Sequence, residues 1–232
     1  MDRISVIRES EKQYHDYCYQ QHQLFEEGSW LHKPVKTVLE LLPLLAQKNK
    51  PAVLDLGAGV GRNSIPLAKQ LGSRVVCVDL LDSALEGLKN YSRKYKVEHL
   101  IEPVKADLDN YFITPNQYDL IIAISSIEHT SSEANFDQLL KSMIKGTKCG
   151  GMHCLVVNSD IVEYDIDSEV ELEPMMELNF SAEYLLDKFD HFYQGWLVRK
   201  KDIKQLEFEI ARDNRKILLR TKAITYVVTN AN

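Results

Sequence analysis

The sequence predicts an α/β chain. Its expected core is a doubly wound, mostly parallel sheet closed by an antiparallel C-terminal strand and preceded by a helical N-terminal cap. Three observations carry this. The first is the order strand, glycine turn, helix: Val53-Leu54-Asp55-Leu56 leads into Gly57, Gly59 and Gly61, and then into the helical spacing of Ile65 to Leu71. The second is the next apolar run, Arg74 to Val78, which ends on Asp79 about 20 residues beyond the turn, where a ribose-binding acid is expected. The third is the later pattern, in which apolar runs alternate with helical stretches as far as Val157 and short alternating runs continue to Val228.

Composition narrows the class. At 232 residues, 44% apolar and 27% charged, the chain suits one globular domain over 1–232. It divides into a cap (1–50) and a core (51–232) that carries an acidic insert at about 160–180. A net charge of −6 argues against a surface that neutralises nucleic-acid phosphates. The start, Met1-Asp2-Arg3-Ile4-Ser5, lacks the apolar core of a secretory signal. No apolar stretch approaches the ~20 residues that cross a bilayer. Cys18, Cys77, Cys149 and Cys154 form no C-x-x-C pair and lack histidines at zinc spacing, so a reduced, metal-free, cytoplasmic protein is expected.

Taken in order, Ile7 to Phe25 is a polar helix with Tyr14, Tyr17 and Tyr19, broken at Glu27-Gly28-Ser29 before Trp30. Pro34 to Leu45 is an apolar helix that Pro43 interrupts near its end. Leu81 to Tyr95 is amphipathic, and Ile101 to Ala106 is a strand closed by Asp107-Leu108. Tyr118 to Ile124 reads as a central strand buried on both faces, delivering Ser125-Ser126-Ile127-Glu128-His129 to the sheet edge. Phe136 to Ile144 is helical, and Met152 to Val157 is a fifth strand that brings Asn158 to the same edge. Ile161 to Asn179 is expected to be an irregular acidic loop, solvated by default, with Met175-Met176 as an apolar element. Ser181 caps a helix over Ala182 to Phe189. Four short strands follow at 196–198, 206–210, 217–220 and 223–228, with a hairpin turn at Asp213-Asn214.

The glycine turn departs from a dinucleotide fingerprint in two respects. Asp55 stands where that fingerprint carries an apolar or neutral residue, and the rhythm is G-x-G-x-G in place of G-x-G-x-x-G. With Asp79, the motif Asp55-x-Gly57-x-Gly59-x-Gly61 resembles the cofactor site of class I S-adenosylmethionine (SAM)-dependent methyltransferases, over about Ala52 to Asn158. Within that family, Gly61-Arg62-Asn63-Ser64 and Phe180-Ser181-Ala182-Glu183 look like the TehB-type branch, associated with tellurite resistance and methylation of soft chalcogen or thiol acceptors. The acidic insert and the aromatic arm depart from that branch.

The resemblance implies a Rossmann-like fold, SAM as cofactor and S-adenosylhomocysteine as product. The implied cofactor contacts are Asp55, Gly57, Ala58, Gly59, Gly61, Asn63, Asp79, Leu80, Asp107, Leu108 and Ser125, with Asp107 receiving the adenine amino group. A small-molecule acceptor is implied, with neither nucleic acid nor membrane as partner. The leading helix would then wall the acceptor pocket with Tyr14, Tyr17 and Trp30, opposite Asn158, Met175 and Met176. For the aromatics, plain helix packing is the competing reading. Glu128 and His129 match an acid–His pair seen after this strand in many small-molecule methyltransferases. His129, or Glu128, would be the general base if the acceptor must lose a proton, and a loop-capping histidine otherwise. Arg62 has two readings, a cofactor carboxylate or an anchor for the N-terminal arm. An NAD-type oxidoreductase and a non-catalytic SAM-binding protein are the alternative functions. No Asn/Asp-Pro-Pro-aromatic sequence follows the fourth strand and no Pro-Cys pair occurs, which argues against DNA amine or cytosine C5 methylation.

Overall fold

The structure, a computed structural model, describes residues 2–212 and 215–231; the turn expected at Asp213-Asn214 lies outside the described residues. Asp2 accepts a hydrogen bond from the Ser5 N–H at 2.9 Å and so caps the first helix, α1 (Arg3–Gln21). Two short helices follow, α2 (Lys36–Glu40) and α3 (Leu42–Leu45). The break at Leu41 lies just ahead of Pro43, whose ring fits the first turn of a new helix better than the interior of an old one.

Then strands and helices alternate: β1 (Val53–Leu56), α4 (Ser64–Leu71), β2 (Val75–Asp79), α5 (Asp82–Lys94), β3 (Ile101–Lys105), β4 (Tyr118–Ile124) and α6 (Glu133–Gly146). Beyond them lie β5 (Thr147–Asp165), β6 (Val170–Leu172), α7 (Ala182–Phe192), β7 (Leu197–Arg212) and β8 (Arg215–Thr229). Gly72 stops α4 in the left-handed region at φ 58°, where its missing Cβ removes the steric penalty. Ser181 caps α7 by accepting from the Tyr184 N–H, as its position predicts.

The strands lie in the order β3-β2-β1-β4-β5-β8-β7, with β6 added beside β5. The first five are parallel. β8 is antiparallel to β5, and β7 is antiparallel to β8 and so runs with the parallel set. This is the mostly parallel Rossmann-like sheet with an antiparallel last strand that the pattern predicted. Alternate residues feed two cores. Val53, Val75, Cys77, Leu120 and Ile122 join Leu31, Val38, Leu45, Ile65 and Leu88 on one face. Leu54, Leu56, Val76, Val78, Ile121 and Ala123 meet Phe136, Leu140, Met143, Leu185 and Phe189 on the other. Near-continuous apolar runs such as Leu120 to Ile124 are what a strand covered on both faces requires.

Two expectations change. The stretch from Ile161 is not an irregular loop at its start: β5 continues to Asp165, and β6 returns beside it through Asp165↔Val170. Pairing with β8 holds the extension, ending at Asp165↔Ile217. Within it Glu163 is buried against Arg212 at 2.5 Å, so this charge is paired and not solvated. The four short strands expected at the C-terminus are two long ones, since β7 and β8 stay paired from Leu197↔Thr229 to Arg212↔Arg215. Among the described residues no helix is long and apolar enough to cross a membrane.

Candidate functional site

Parallel topology brings the carboxyl ends of β1 to β5 to one edge, where an open α/β sheet binds ligands. At the end of β1 the turn packs against the segment after β4. A Cβ on Gly57 would lie 2.3 Å from that of Ser126, and Gly57 has φ +74°. Ser126 completes the joint by donating its hydroxyl to the Leu56 carbonyl at 2.7 Å. Gly57→Ala is therefore expected to cost about 2 kcal/mol or more, from steric overlap added to a left-handed backbone. Gly72→Ala, also left-handed but with open space around it, is expected to cost about 1 kcal/mol. Denaturant midpoints of the two variants separate the contributions.

The turn spends its amides internally. Gly57 and Ala58 donate to the Val78 carbonyl, Gly61 donates to that of Ala58, and Gly59 donates to Asp79 Oδ2 at 2.7 Å. Asp79 Oδ1 accepts from the Leu81 N–H at 3.0 Å. Burial raises the Asp79 carboxyl, opposed by these two amides. Each of its oxygens retains a lone pair, and Leu80 beside it is 41% exposed. The edge thus offers an oriented carboxylate next to an apolar side chain, with a turn whose amides are largely engaged. That donor set suits a nucleoside carrying positive charge better than a pyrophosphate, which needs free N–H groups.

Several predicted residues sit elsewhere than expected. Asp55 is 1% exposed beneath the turn, where the Ser64 hydroxyl donates to it. Burial, helped by the Asp79 charge, raises its carboxyl to about 7. It supports the turn from below, in place of the expected cofactor contact. Asn63 is buried and its Oδ1 accepts from the Val35 N–H at 2.9 Å, fastening the N-terminal segment. Arg62 does the same: it donates to the Trp30 carbonyl at 2.9 Å and its guanidinium lies 5.0 Å from the indole centroid. Of its two readings, the arm anchor is the one the geometry takes. Trp30 sits half-buried in a ring cluster with His15 and Tyr19. Tyr17, at 64% exposure, stands largely in solvent. Tyr14 is at the margin, 37% exposed and edge-on to His15.

Glu128 is fully buried, with Oε1 accepting from the backbone N–H (3.0 Å) and the side-chain amide (2.9 Å) of Asn158. Its other oxygen has no partner among the described residues, and burial raises its carboxyl. Both Glu128 and Asn158 are therefore occupied with each other behind the edge, which removes Glu128 as a base facing a ligand. His129 is different. Its Nδ1 lies 2.9 Å from Glu177 Oε2, and its side chain keeps 28% of its surface. Burial alone would lower its pKa, but the Glu177 hydrogen bond and the charges of Glu11, Glu128 and Glu177 outweigh it and raise the ring to about 9. The Glu177 partner thus favours the protonated ring, which suits His129 to donating from Nε2 better than to removing a proton.

The leading helix was expected over this edge, but the face it presents was not among the residues singled out in the sequence. Residues 8, 11, 15 and 19 lie on one face of α1, at spacings of three and four. Arg8 donates to Asp107 (2.6 Å) and Asp109 (3.2 Å) and lies 3.6 Å from Glu177. Glu11 pairs with His15 at 3.6 Å, and although burial would raise its carboxyl, His15 and His129 hold it below the usual range. The Tyr19 hydroxyl would meet a Cβ on Gly59 at 3.2 Å, so α1 closes directly onto the turn. Asp107 thus engages Arg8, and its Oδ1 also accepts from the Asp109 N–H. Met175 and Met176 are half-buried behind β6; the Met176 carbonyl accepts from Arg3, which also pairs with Glu173. Ser125 follows β4 directly, at φ +50° and exposed at the edge. A groove of about 540 Å³ between α1 and α5, lined by Asp16, Tyr19, Val60, Ser83, Gly87 and Tyr91, reaches the glycine turn at Val60 but neither Asp107 nor Ser125.

Comparison with known proteins agrees with this geometry. Residues 53–151 match the methyltransferase domain family. An uncharacterised protein of Haemophilus influenzae is 34% identical over 94 residues, which are 40% of this chain and 34% of that protein. Phosphoethanolamine N-methyltransferase 3 of Arabidopsis thaliana is 32% identical over 114 residues, 48% of this chain and 22% of that protein. The matched stretches thus span about a third or less of these relatives. Among solved structures, TehB from Haemophilus influenzae superposes with a TM-score of 0.66 at 18% identity, covering 94% of this chain and 67% of that one, a likeness of fold. The sheet order and the antiparallel last strand are those of the class I methyltransferase fold, the class whose cofactor is SAM. The family match lies over residues 53–151, which hold β1 to β4, the glycine turn and Asp79.

Proposed function

We propose that the protein transfers a methyl group from SAM to a small-molecule acceptor, in the cytoplasm, with neither nucleic acid nor membrane as substrate. One observation supports it above the others: the glycine turn satisfies its own amides and presents the Asp79 carboxylate, a site for a cationic nucleoside. The family match over the same residues favours this over the nicotinamide alternative. Relatives named for phosphoethanolamine and for sarcosine and dimethylglycine support a small acceptor, as does the close seat of α1 on the turn.

Bound there, the cofactor would supply an electrophilic methyl carbon on a sulfonium, to which an acceptor lone pair could bond in line as the neutral thioether leaves. The protein's part is alignment and exclusion of water. Asp79 would take the ribose hydroxyls, Leu80 would serve the adenine as an apolar neighbour, and Asp107, held by Arg8, would close that end with Leu108. Tyr19, His15 and Trp30 on the arm cover the turn. His129, with Nδ1 committed to Glu177, has Nε2–H left to donate to an acceptor atom and so orient it. A cationic His129 removes no proton, so the fitting acceptor arrives with its lone pair available, as a thiolate or a chalcogen oxyanion does.

Calorimetric titration tests the cofactor assignment. S-adenosylhomocysteine is expected to bind at micromolar concentration and NADH not at all. The reverse result would overturn the proposal.

A further inference from the structure

The sheet ends on β7, a strand of 16 residues paired on one side only. Natural edge strands are short, bulged or covered, because an open ladder of N–H and C=O groups recruits another strand. Here the single irregularity lies near the start, between Val198 and Lys200. Four large apolar side chains stand exposed along the strand: Leu197, Val198, Ile203 and Phe208, at 44–52%. Most charges of β7 are settled within the chain: Lys201 pairs with Asp190, Glu207 with Arg220 and Arg212 with Glu163. Asp202 and Lys204 are exceptions. Both are exposed, they flank Ile203, and neither has an ion pair among the described residues.

We propose that a second copy of this chain occupies this edge, with two β7 strands antiparallel across a two-fold axis at Ile203. In an isologous antiparallel pair one residue faces its own copy. An axis at Lys201, Asp202 or Lys204 sets a charge against itself. An axis at Gln205 sets Ile203 against a glutamate and Asp202 against a phenylalanine. At Ile203 the two isoleucines meet and Val198 meets a phenylalanine, while Leu197 falls opposite a glutamate. Asp202 then faces Lys204 of the partner subunit, and Lys204 faces Asp202 of the partner subunit. Lys201 meets a glutamine, Lys200 meets the apolar Leu206, and no like charges are directly opposed. The lysines that would discourage indiscriminate edge pairing thus specify one register. The two sheets become continuous through the axis, while both ligand-binding edges remain open.

Sedimentation equilibrium of the intact protein at micromolar concentration tests this. A dimer is expected. Asp202→Lys and Lys204→Asp are each expected to raise its dissociation constant about tenfold or more, because each change acts twice across the axis. The double exchange, Asp202→Lys with Lys204→Asp, is expected to restore it. Thermal midpoints and S-adenosylhomocysteine affinity, unchanged across the set, exclude misfolding. A monomeric native protein would overturn the proposal, as would a dimer indifferent to the single changes or a double exchange that fails to rescue.

Discussion

Asp79→Ala is expected to weaken S-adenosylhomocysteine binding by about 2–4 kcal/mol, roughly 30- to 700-fold, through loss of two charge-assisted hydrogen bonds to the ribose. The same carboxylate also accepts from the Gly59 and Leu81 amides. Alanine would strand both donors and loosen the turn as well. Asp79→Asn separates these effects, since its carbonyl still accepts from one amide while the negative charge is gone. Calorimetry should rank native above Asp79→Asn above Asp79→Ala. Denaturation of the ligand-free proteins should place Asp79→Asn nearer to native. An unchanged affinity in Asp79→Ala would mean that the nucleoside does not lie at the end of β2.

What could be read in the sequence was what is encoded locally. The run Val53 to Leu56, the three alternate glycines and Asp79 fall within one β-α-β unit, so pattern and spacing suffice. The roles of side chains around that unit depend on what folds against them from far away. Asp55 reads as a ligand contact until Ser64 and the covering turn bury it. Asp107 reads as an adenine contact, but Arg8, 99 residues earlier, is its partner in the structure. Glu177 was one acid in a run, and nothing local distinguished it from its neighbours. Burial between Arg8 and His129 is what singles it out. The face of α1 carried a usable signal, since residues 8, 11, 15 and 19 repeat at helical spacing with ionisable or aromatic groups. It was overlooked because an inward face is normally sought among apolar residues. The extent of β5, β7 and β8 was hidden for a related reason: a strand's length follows from its partner's alternation, and single-strand patterns do not contain it.

Glu177→Gln should expose how the site sets the protonation of His129. Glu177 has 2% of its side chain exposed and stands between Arg8 and His129, so removing its charge leaves two cations facing a neutral amide. Both partners retain some solvent contact, which limits the expected cost to roughly 2–3 kcal/mol. The pH dependence follows from the sign of the histidine shift. His129 is raised in the folded protein to about 9 from 6.5, so the stabilisation it provides is fully present below about pH 6.5 and is lost as pH rises through about 9. The difference in stability between native protein and Glu177→Gln should therefore be largest near pH 6 and fade above pH 9. In the variant the imidazole should titrate at least about one unit lower, because a neutral amide no longer favours the cation. Histidine carbon and nitrogen shifts followed by NMR give the midpoint directly, and urea titrations on both sides of it give the stability difference. If His129 titrates near 6.5 in the native protein, it is a neutral imidazole in the working range, and its role reverts from donor to general base.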